Sequence, residues 1–238
     1  LRGIPQADSL GMDHSYFDVA DIRFGGRITL REHFRCMPEI IRFSNEQFYD
    51  GRLTPLRQYG FDRLPPLRSV HVRDGYERGD ENPPEAEAVV EQLLACCADP
   101  AYAGRTMGVI SLRGARHAQK VENLLLAAMD AGRISPEEIE ARRIVCGDAY
   151  AFQGDDRDVV FLSMVTAPRD GRIPARTDAA TQRRFNVAAS RARDQMWLFH
   201  SVGPADLGPT DLRAALLRFF LDPAAPDGSP EPDPAVFE

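Results

Sequence analysis

The segment RRFNVAASRARDQMWLF, residues 183–199, decides the fold, because it joins an amphipathic helix to an apolar strand. Its small and apolar residues recur at helical spacing, which predicts a face packed against a sheet. These residues are Phe185, Ala188, Ala189 and Ala192. The apolar run Met196–Phe199 follows directly, as expected of a buried strand. Residues 180–194 are therefore predicted to form a helix that leads into a sheet.

The same segment carries four arginines and no acidic residue before Asp194. They are Arg183, Arg184, Arg191 and Arg193. A solvated helical face normally mixes glutamates with its basic residues. Arginines without acidic partners suit phosphate, since the planar guanidinium binds two oxygens at once. Arg184 and Arg191 are spaced by two helical turns on one predicted face. From spacing alone, a solvated face and a phosphate-binding face stay equally open.

On either side of this segment, apolar strands alternate with amphipathic helices, the pattern of a parallel α/β sheet. The predicted strands are Ile28–Leu30, Val70–Val72, Gly108–Leu112, Arg143–Ala149, Val159–Val165 and Met196–Val202. Further helices are predicted within residues 37–51, 81–99, 114–132, 135–143 and 210–222. Pro38, Asn82 and Ser135 supply their start signals. Residues 166–180 are predicted to be a long polar loop, and loops of that length are often functional.

Composition narrows the class of protein. With 43% hydrophobic and 27% charged residues, the 238-residue chain has an ordinary globular composition. Its net charge of −7 argues against a protein that coats DNA, although a local basic groove remains compatible with it. The four cysteines have no metal-binding spacing, which predicts free thiols in the cytoplasm. No apolar run is long enough to span a bilayer, so no membrane partner is expected.

The ends of the sequence predict a piece of a longer protein. The chain begins with Leu1, and its last residues form a Pro-rich acidic stretch typical of a linker. We therefore expect three parts. Residues 1–27 lead into the domain, residues 28–222 form it, and residues 223–238 are a linker or tail.

Residues 183–199 resemble motif VI of superfamily 1 helicases, in particular the Upf-like branch (superfamily 1B). LREHFRCMPEIIRFSNEQFYDGRL resembles motif IV, near 30–54, and CGDAYAFQGDDRDVVFLSMV resembles motif V, near 146–165. MGVISLRGARHAQKVENLL resembles the strand segment between them. The four segments occur in the order typical of the family. The resemblance implies a RecA-like, P-loop NTPase-type fold, with a parallel sheet sandwiched by helices, and specifically the second motor domain.

Two parts of the motor are missing from the sequence. No GxxxxGK[ST] phosphate loop occurs, and the only lysine, Lys120, follows a glutamine. The Asp-Glu pair that would hold Mg²⁺ after a strand is also missing, so no metal ligand is predicted. The resemblance implies that ATP and Mg²⁺ are completed by the first RecA-like domain of the same polypeptide. The chain alone is expected to be inactive as an ATPase.

The resemblance implies two catalytic arginines. Arg191 matches the arginine finger of motif VI, and Arg35 matches a second finger in motif IV. The alternatives are a solvated helical arginine for Arg191 and a salt bridge to Glu32 or Glu39 for Arg35. Both arginines are expected to be unpaired and to converge on one anion site flanked by Phe34. That site is expected at or beside the carboxyl ends of the strands.

The resemblance also implies a set of nucleotide-binding residues. They are Phe34, Gln153, Gly154 and Asp156. Phe34 would stack on adenine, with a place in the core as the alternative. Asp156 stands where the family commonly has glutamate and is one methylene shorter. Arg193 is predicted to pair with Asp156 or Asp158.

The predicted contacts with single-stranded DNA or RNA are Ser111, Arg113, Arg116 and Phe152. The sequence departs from the family here, since Leu112 and Arg113 replace a Pro-Tyr pair. Arg113, Arg116 and His117 would form a small basic loop.

The leading hypothesis is the second motor domain of an ATP-dependent helicase or translocase. The alternative is a non-catalytic RecA-like module for interaction or nucleic-acid binding. A dinucleotide-dependent enzyme is disfavoured because no GxGxxG follows a strand. A nuclease built on the acidic sequence GDDRD is disfavoured because these carboxylates have no partners elsewhere.

Overall fold

A computed structural model describes residues 16–25, 28, 30–58, 60 and 63–222. The chain divides into two units, Leu1–Glu32 and His33–Glu238. In the first, helix α1 spans Tyr16–Phe24. The predicted strand Ile28–Leu30 is wrong at both ends, because Ile28 and Leu30 are 93% and 85% exposed and lie in no strand. The run is too short to bury its apolar side chains. Thr29 lies outside the described residues. The predicted tail, residues 223–238, lies outside them as well.

The second unit contains a parallel sheet. Its strands are β3 (Leu67–His71), β4 (Met107–Ser111), β5 (Val145–Asp148), β6 (Arg157–Ser163) and β7 (Ala192–His200). Their order is β3-β7-β6-β4-β5, and every pairing is parallel. Two short strands, β1 (Glu32–His33) and β2 (Thr54–Pro55), lie outside this sheet, and Leu56 N–H donates to His33 O. The five strands coincide with the remaining predicted strands to within a few residues.

Six helices surround this sheet in the described part of the second unit. They are α2 (Pro38–Phe48), α3 (Pro83–Ala98), α4 (Ala115–Asp130), α5 (Pro136–Ala141), α6 (Ala179–Ala189) and α7 (Leu212–Leu221). The predicted start signals act as caps. Asn82 accepts a hydrogen bond from Glu85 N–H, and Ser135 accepts one from Glu138 N–H.

Helices cover both faces of the sheet, as the alternating side chains of β6 illustrate. Val160 and Leu162 belong to the core under α2, α6 and α7. Val159 and Phe161 belong to the core under α3 and α4. All four are fully buried, and each such side chain stabilises the fold by about 1.5–3 kcal/mol. The predicted class, a parallel α/β sheet sandwiched by helices, is confirmed.

Helix α6 is shorter than predicted. It ends at Ala189 with Ser190 as its C-cap, whereas the prediction extended it to residue 194. The sheet takes over at once, since Arg157 N–H donates to Arg191 O at 3.0 Å. Arg191 therefore lies in the turn between α6 and β7, and Arg184 and Arg191 do not share a helical face.

Because all five strands are parallel, their amino ends lie at one side of the sheet and their carboxyl ends at the other, which we call the amino edge and the carboxyl edge. At the amino edge, Asp156 precedes β6 and Arg191 precedes β7. At the carboxyl edge, β4 and β6 end at Ser111 and Ser163. An irregular segment, residues 164–178, then connects β6 to α6. A polar loop is predicted for residues 166–180, within two residues of these bounds. The two predicted fingers lie at the amino edge, so their expected place at the carboxyl ends of the strands is wrong.

Candidate functional site

The motif IV segment is fixed to the start of β7. Met37 N–H donates to Arg193 O at 2.9 Å. Arg57 Nη1 donates to Arg35 O at 2.6 Å, and its Nη2 donates to Asp194 Oδ1. Asp194 is buried and also pairs with Arg105. These contacts fix the backbone at Arg35 against the amino edge, and sequence reasoning missed them because the partners are distant along the chain.

Arg191 is half-buried, and its bonds to the described residues go only to backbone and hydroxyl oxygens. Its Nε donates to Val187 O at 3.0 Å, its Nη1 to Asp155 O at 3.2 Å and its Nη2 to Ser190 Oγ at 3.4 Å. Within the described ranges, no carboxylate lies within ion-pair distance of it. Burial, followed by the nearby charge of Arg35, lowers the pKa of Arg191. This guanidinium therefore has spare capacity for an anion.

Arg35, in contrast, has a carboxylate partner. Its Nε donates to Asp156 Oδ2 at 3.0 Å, and its Nη1 donates to Ser190 O at 3.3 Å. The expectation that Arg35 is unpaired is wrong, and the partner is neither Glu32 nor Glu39. The pairing arises because the turn before β6 brings Asp156 against the motif IV loop.

Asp156 joins two arginines. Its second oxygen, Oδ1, lies 2.6 Å from Arg193 Nη2, and Arg193 Nη1 lies 3.5 Å from Asp158 Oδ1. The predicted pairing of Arg193 with these aspartates is confirmed. Burial works against ionisation, but hydrogen bonds from Arg193 and Arg35 hold the pKa of Asp156 below its usual range. With both oxygens occupied, this carboxylate positions arginines.

The two predicted fingers both bond to Ser190, and two ionisable side chains beside them, His33 and Cys36, carry no charge. Burial, with the charges of Arg35 and Arg191, lowers the pKa of His33 to about 4, so this imidazole is neutral. Burial raises the pKa of the Cys36 thiol to about 12, and its Sγ donates to Ser190 O at 3.5 Å. The cluster of Arg35 and Arg191 is thus a local cationic site in an acidic chain.

The remaining predicted nucleotide-binding residues lie on exposed loops. Phe34 is 67% exposed, so it is not a core aromatic and its ring face is available. Gln153 is exposed, and its N–H donates to Tyr150 O at 3.1 Å. Gly154 adopts φ +86°, a conformation that favours glycine.

The carboxyl edge carries a second basic feature, a cavity of about 190 Å³. Its wall includes four arginines and one carboxylate, together with Met164 and Thr166; the charged residues are Asp80, Arg113, Arg176, Arg184 and Arg213. We call it the arginine cavity. Arg184 Nη1 donates to Leu112 O at 3.3 Å and to Arg113 O at 3.4 Å, while its buried Nε has no hydrogen-bond partner among the described residues. Arg213 is buried and fixed by Asp211, with Thr166 Oγ1 accepting from its Nη1 at 3.0 Å.

Two of the residues predicted to contact a nucleic-acid strand, Arg113 and Arg116, are accessible to solvent. Arg113 lines the arginine cavity and pairs with Glu77 at 2.6 Å and Asp80 at 3.3 Å. Arg116 is exposed in the first turn of α4. Arg113 and Arg116 therefore remain candidates for contact with a nucleic-acid strand.

The other two predicted contacts are buried. Ser111 is 0% exposed, and its Oγ accepts from Gly114 N–H at 3.2 Å. Phe152 is 1% exposed and packs so closely on Gly108 that a Cβ there would lie 2.7 Å from its ring. Neither side chain has surface to offer a strand, so the prediction is wrong for both. The apolar Phe152 is instead part of the core.

His117 is also buried and does not belong to a basic loop. Burial, with the charge of Arg113, lowers its pKa to about 4. Its Nδ1 accepts from Asn82 N–H at 3.2 Å, which leaves the proton on Nε2, 2.6 Å from Ser163 Oγ. No sequence pattern predicts this interaction, because it joins the starts of two helices to the end of β6.

Comparison with known proteins identifies the family. Residues 12–202 match the family model described as an AAA domain. The chain belongs to this AAA domain family. It is also 27% identical to the mouse (Mus musculus) 5'-3' DNA helicase ZGRF1 over 214 residues, which are 85% of this chain and 11% of that relative.

A solved structure is similar as well. The C-terminal domain of a possible DNA helicase from Lactobacillus plantarum WCFS1 has 15% sequence identity and a TM-score of 0.44, over 78% of this chain and 96% of that one. The family match spans all four ordered motif segments, and the mouse relative that this chain resembles is a DNA helicase. Among the described residues of this AAA domain, no helix is long and apolar enough to cross a membrane.

Proposed function

We propose that this AAA domain is the second motor domain of an ATP-dependent DNA helicase or translocase. It would work with a first RecA-like domain of the same polypeptide. One observation carries the proposal: Arg191 is half-buried without a carboxylate partner among the described residues, and it lies beside a second arginine, Arg35.

Two neighbouring guanidiniums repel each other, and partial burial strengthens that repulsion. An anion between them relieves it. The γ-phosphate of ATP held by the first domain is such an anion, and charge develops on its oxygens during transfer. Arg191 would stabilise this charge with its free donor capacity, and Arg35 would do so while Asp156 holds its Nε.

The other nucleotide contacts would come from the same edge. Phe34 would stack on adenine through its exposed ring. Gln153 and Gly154 would line the site from the turn before β6. The Mg²⁺ that accompanies ATP would be held by the first domain.

The arginine cavity would bind a phosphodiester of single-stranded DNA. Arg184 supports this role because, within the described part of the chain, its buried Nε lacks a partner, a costly arrangement that an anionic oxygen would correct. Arg113 and Arg176 line the same wall, and Arg116 is exposed in the first turn of α4. DNA is favoured over RNA because the mouse relative is a DNA helicase.

The decisive experiment measures DNA-stimulated ATP turnover in the polypeptide that carries both motor domains. Arg191→Ala should lower turnover by about 10³-fold. Arg183→Ala is the matched control, because Arg183 is an exposed arginine of the same motif. Unchanged turnover in Arg191→Ala would reject the arginine-finger role and favour a domain that takes no part in ATP hydrolysis. This AAA domain alone should show no turnover.

A further inference from the structure

A strained residue lies beside the arginine cavity. Val165 follows β6 with φ +67°, and its side chain is fully buried. A β-branched residue in this left-handed region is an outlier, because its branched carbon crowds the backbone. Such a conformation persists only when surrounding groups hold it in place.

The start of α3 supplies the groups that hold Val165. Glu85 Oε1 accepts from Val165 N–H at 2.7 Å. Asn82 Nδ2 donates to Val165 O at 3.1 Å. Both Asn82 and Glu85 are 0% exposed. The two backbone polar groups of the strained residue are therefore both satisfied by one turn of one helix.

Glu85 makes more hydrogen bonds than helix capping requires. Capping needs only the bond from Glu85 N–H to Asn82 Oδ1, at 3.2 Å. The carboxylate also accepts from Ser163 Oγ at 2.7 Å and Ser201 Oγ at 3.0 Å. No cation pairs with it among the residues described, so burying its charge is costly. We therefore expect the buried carboxylate of Glu85 to have a role besides capping α3.

The backbone at Val165 sets the wall of the arginine cavity. Its neighbours Met164 and Thr166 both line the cavity, and Thr166 accepts from Arg213 at 3.0 Å. Ala167 N–H donates at 3.2 Å to Glu77, which pairs with Arg113. A change of direction at Val165 would move the partners of two cavity arginines.

We propose that Asn82 and Glu85 are positioning residues that hold Val165 in its left-handed conformation and so set the shape of the DNA-binding arginine cavity. This inference rests on the proposed function of that cavity. Glu85 touches no DNA itself. It acts through the backbone of Val165.

The test compares Glu85→Gln in two backgrounds, Val165→Ala and Val165→Gly. Both backgrounds remove the buried isopropyl group, but only glycine adopts φ +67° without strain. Glu85→Gln keeps the size of the side chain and makes one half of it a donor. Glu91→Gln is the control, since it makes the same change at an exposed position of α3.

Affinity of the polypeptide for a fluorescent oligo-dT strand is measured by anisotropy. We expect Glu85→Gln to weaken binding about tenfold with alanine at 165 and about threefold or less with glycine there. An equal loss in both backgrounds overturns the proposal, because it would mean that Glu85 does not act through Val165. If Glu85→Gln fails to fold, Asn82→Ala is used in the same pair of backgrounds.

Amide hydrogen exchange of residues 163–167 in the DNA-free protein gives an independent readout. Glu85→Gln should speed exchange there more in the alanine background than in the glycine background, and equal effects would again overturn the proposal. If the arginine cavity does not bind DNA, the two measurements give a different result. In that case Arg184→Ala leaves oligo-dT affinity intact while the exchange pattern still follows residue 165.

Discussion

Arg35 and Arg191 both donate hydrogen bonds to the same residue, Ser190. Arg35 Nη1 donates to its carbonyl oxygen at 3.3 Å, and Arg191 Nη2 donates to its hydroxyl oxygen at 3.4 Å. The two arginines come from segments far apart in the sequence, yet one turn of chain holds them together. Of these two arginines, Arg35 has a carboxylate partner among the described residues and Arg191 has none. An anion that binds Arg191 therefore displaces no carboxylate of the described residues.

Arg191→Lys should not restore ATP turnover. A lysine keeps the charge but loses the planar fork that binds two oxygens. We expect turnover within about tenfold of Arg191→Ala, and an unfolding free energy within about 1 kcal/mol of the parent chain, because the site is only half-buried. Steady-state turnover and urea unfolding check both parts. Near-parental turnover in the lysine variant would refute bidentate phosphate binding.

Asp156→Asn should impair turnover by releasing Arg35. The substitution removes the charge that both Arg35 and Arg193 contact, while keeping the size of the side chain. Arg193→Ala is the control, since it breaks the second pair and leaves the contact with Arg35. We expect at least a tenfold loss in kcat for Asp156→Asn and a much smaller loss for Arg193→Ala. Equal losses in the two variants would contradict a positioning role toward Arg35.

Local signals in the sequence predicted much of this fold. Asn82 and Ser135 cap helices because their partners lie three residues away. The convergence of motifs IV, V and VI followed from the resemblance. The pairing of Arg35 with Asp156 and the burial of Phe152 did not follow, because each depends on which distant segments the sheet brings together. The early end of α6 has the same cause, as backbone pairing at Arg191 overrides helical periodicity.

Two phenylalanines should separate folding from function. Phe152→Ala should lower the free energy of unfolding by about 3–5 kcal/mol, because it leaves a cavity against Gly108. Phe34→Ala should change it by less than about 1 kcal/mol, because that ring is 67% exposed. Phe34→Ala should instead raise the KM for ATP. Thermal melts with turnover assays distinguish the two, and a large stability loss in Phe34→Ala would contradict its assignment.

Stability should fall in mild acid because buried histidines are held neutral. Burial lowers the pKa of His117 to about 4, below its unfolded value of about 6.5. Its contribution is therefore present above pH 6.5 and is lost as the pH falls toward 4, on the order of 3 kcal/mol. Glu85 opposes this, since burial raises its pKa to about 7 and its contribution is lost as the pH rises through that value.

His117→Gln provides the measurement. Glutamine can accept from Asn82 and donate to Ser163 without titrating. Urea unfolding at pH 7, 5.5 and 4 should show a smaller loss of stability in acid for the variant than for the parent chain. The remaining loss should include His33, whose pKa is also lowered to about 4. An identical loss in both proteins would show that His117 is not the titrating group.

Arg184→Ala should weaken the binding of single-stranded DNA and reduce its dependence on salt. Each phosphate contact to a single strand contributes about 0.7 to the slope of log affinity against log salt. We therefore expect the slope to fall by about that amount and the affinity for oligo-dT to fall about tenfold at moderate salt. Arg183→Ala removes an arginine from the same helix outside the cavity and should change both quantities less. Because Arg184 also donates to Leu112 O and Arg113 O, urea unfolding is measured alongside. A loss of affinity with an unchanged salt slope would mean that Arg184 supports the cavity wall without contacting phosphate.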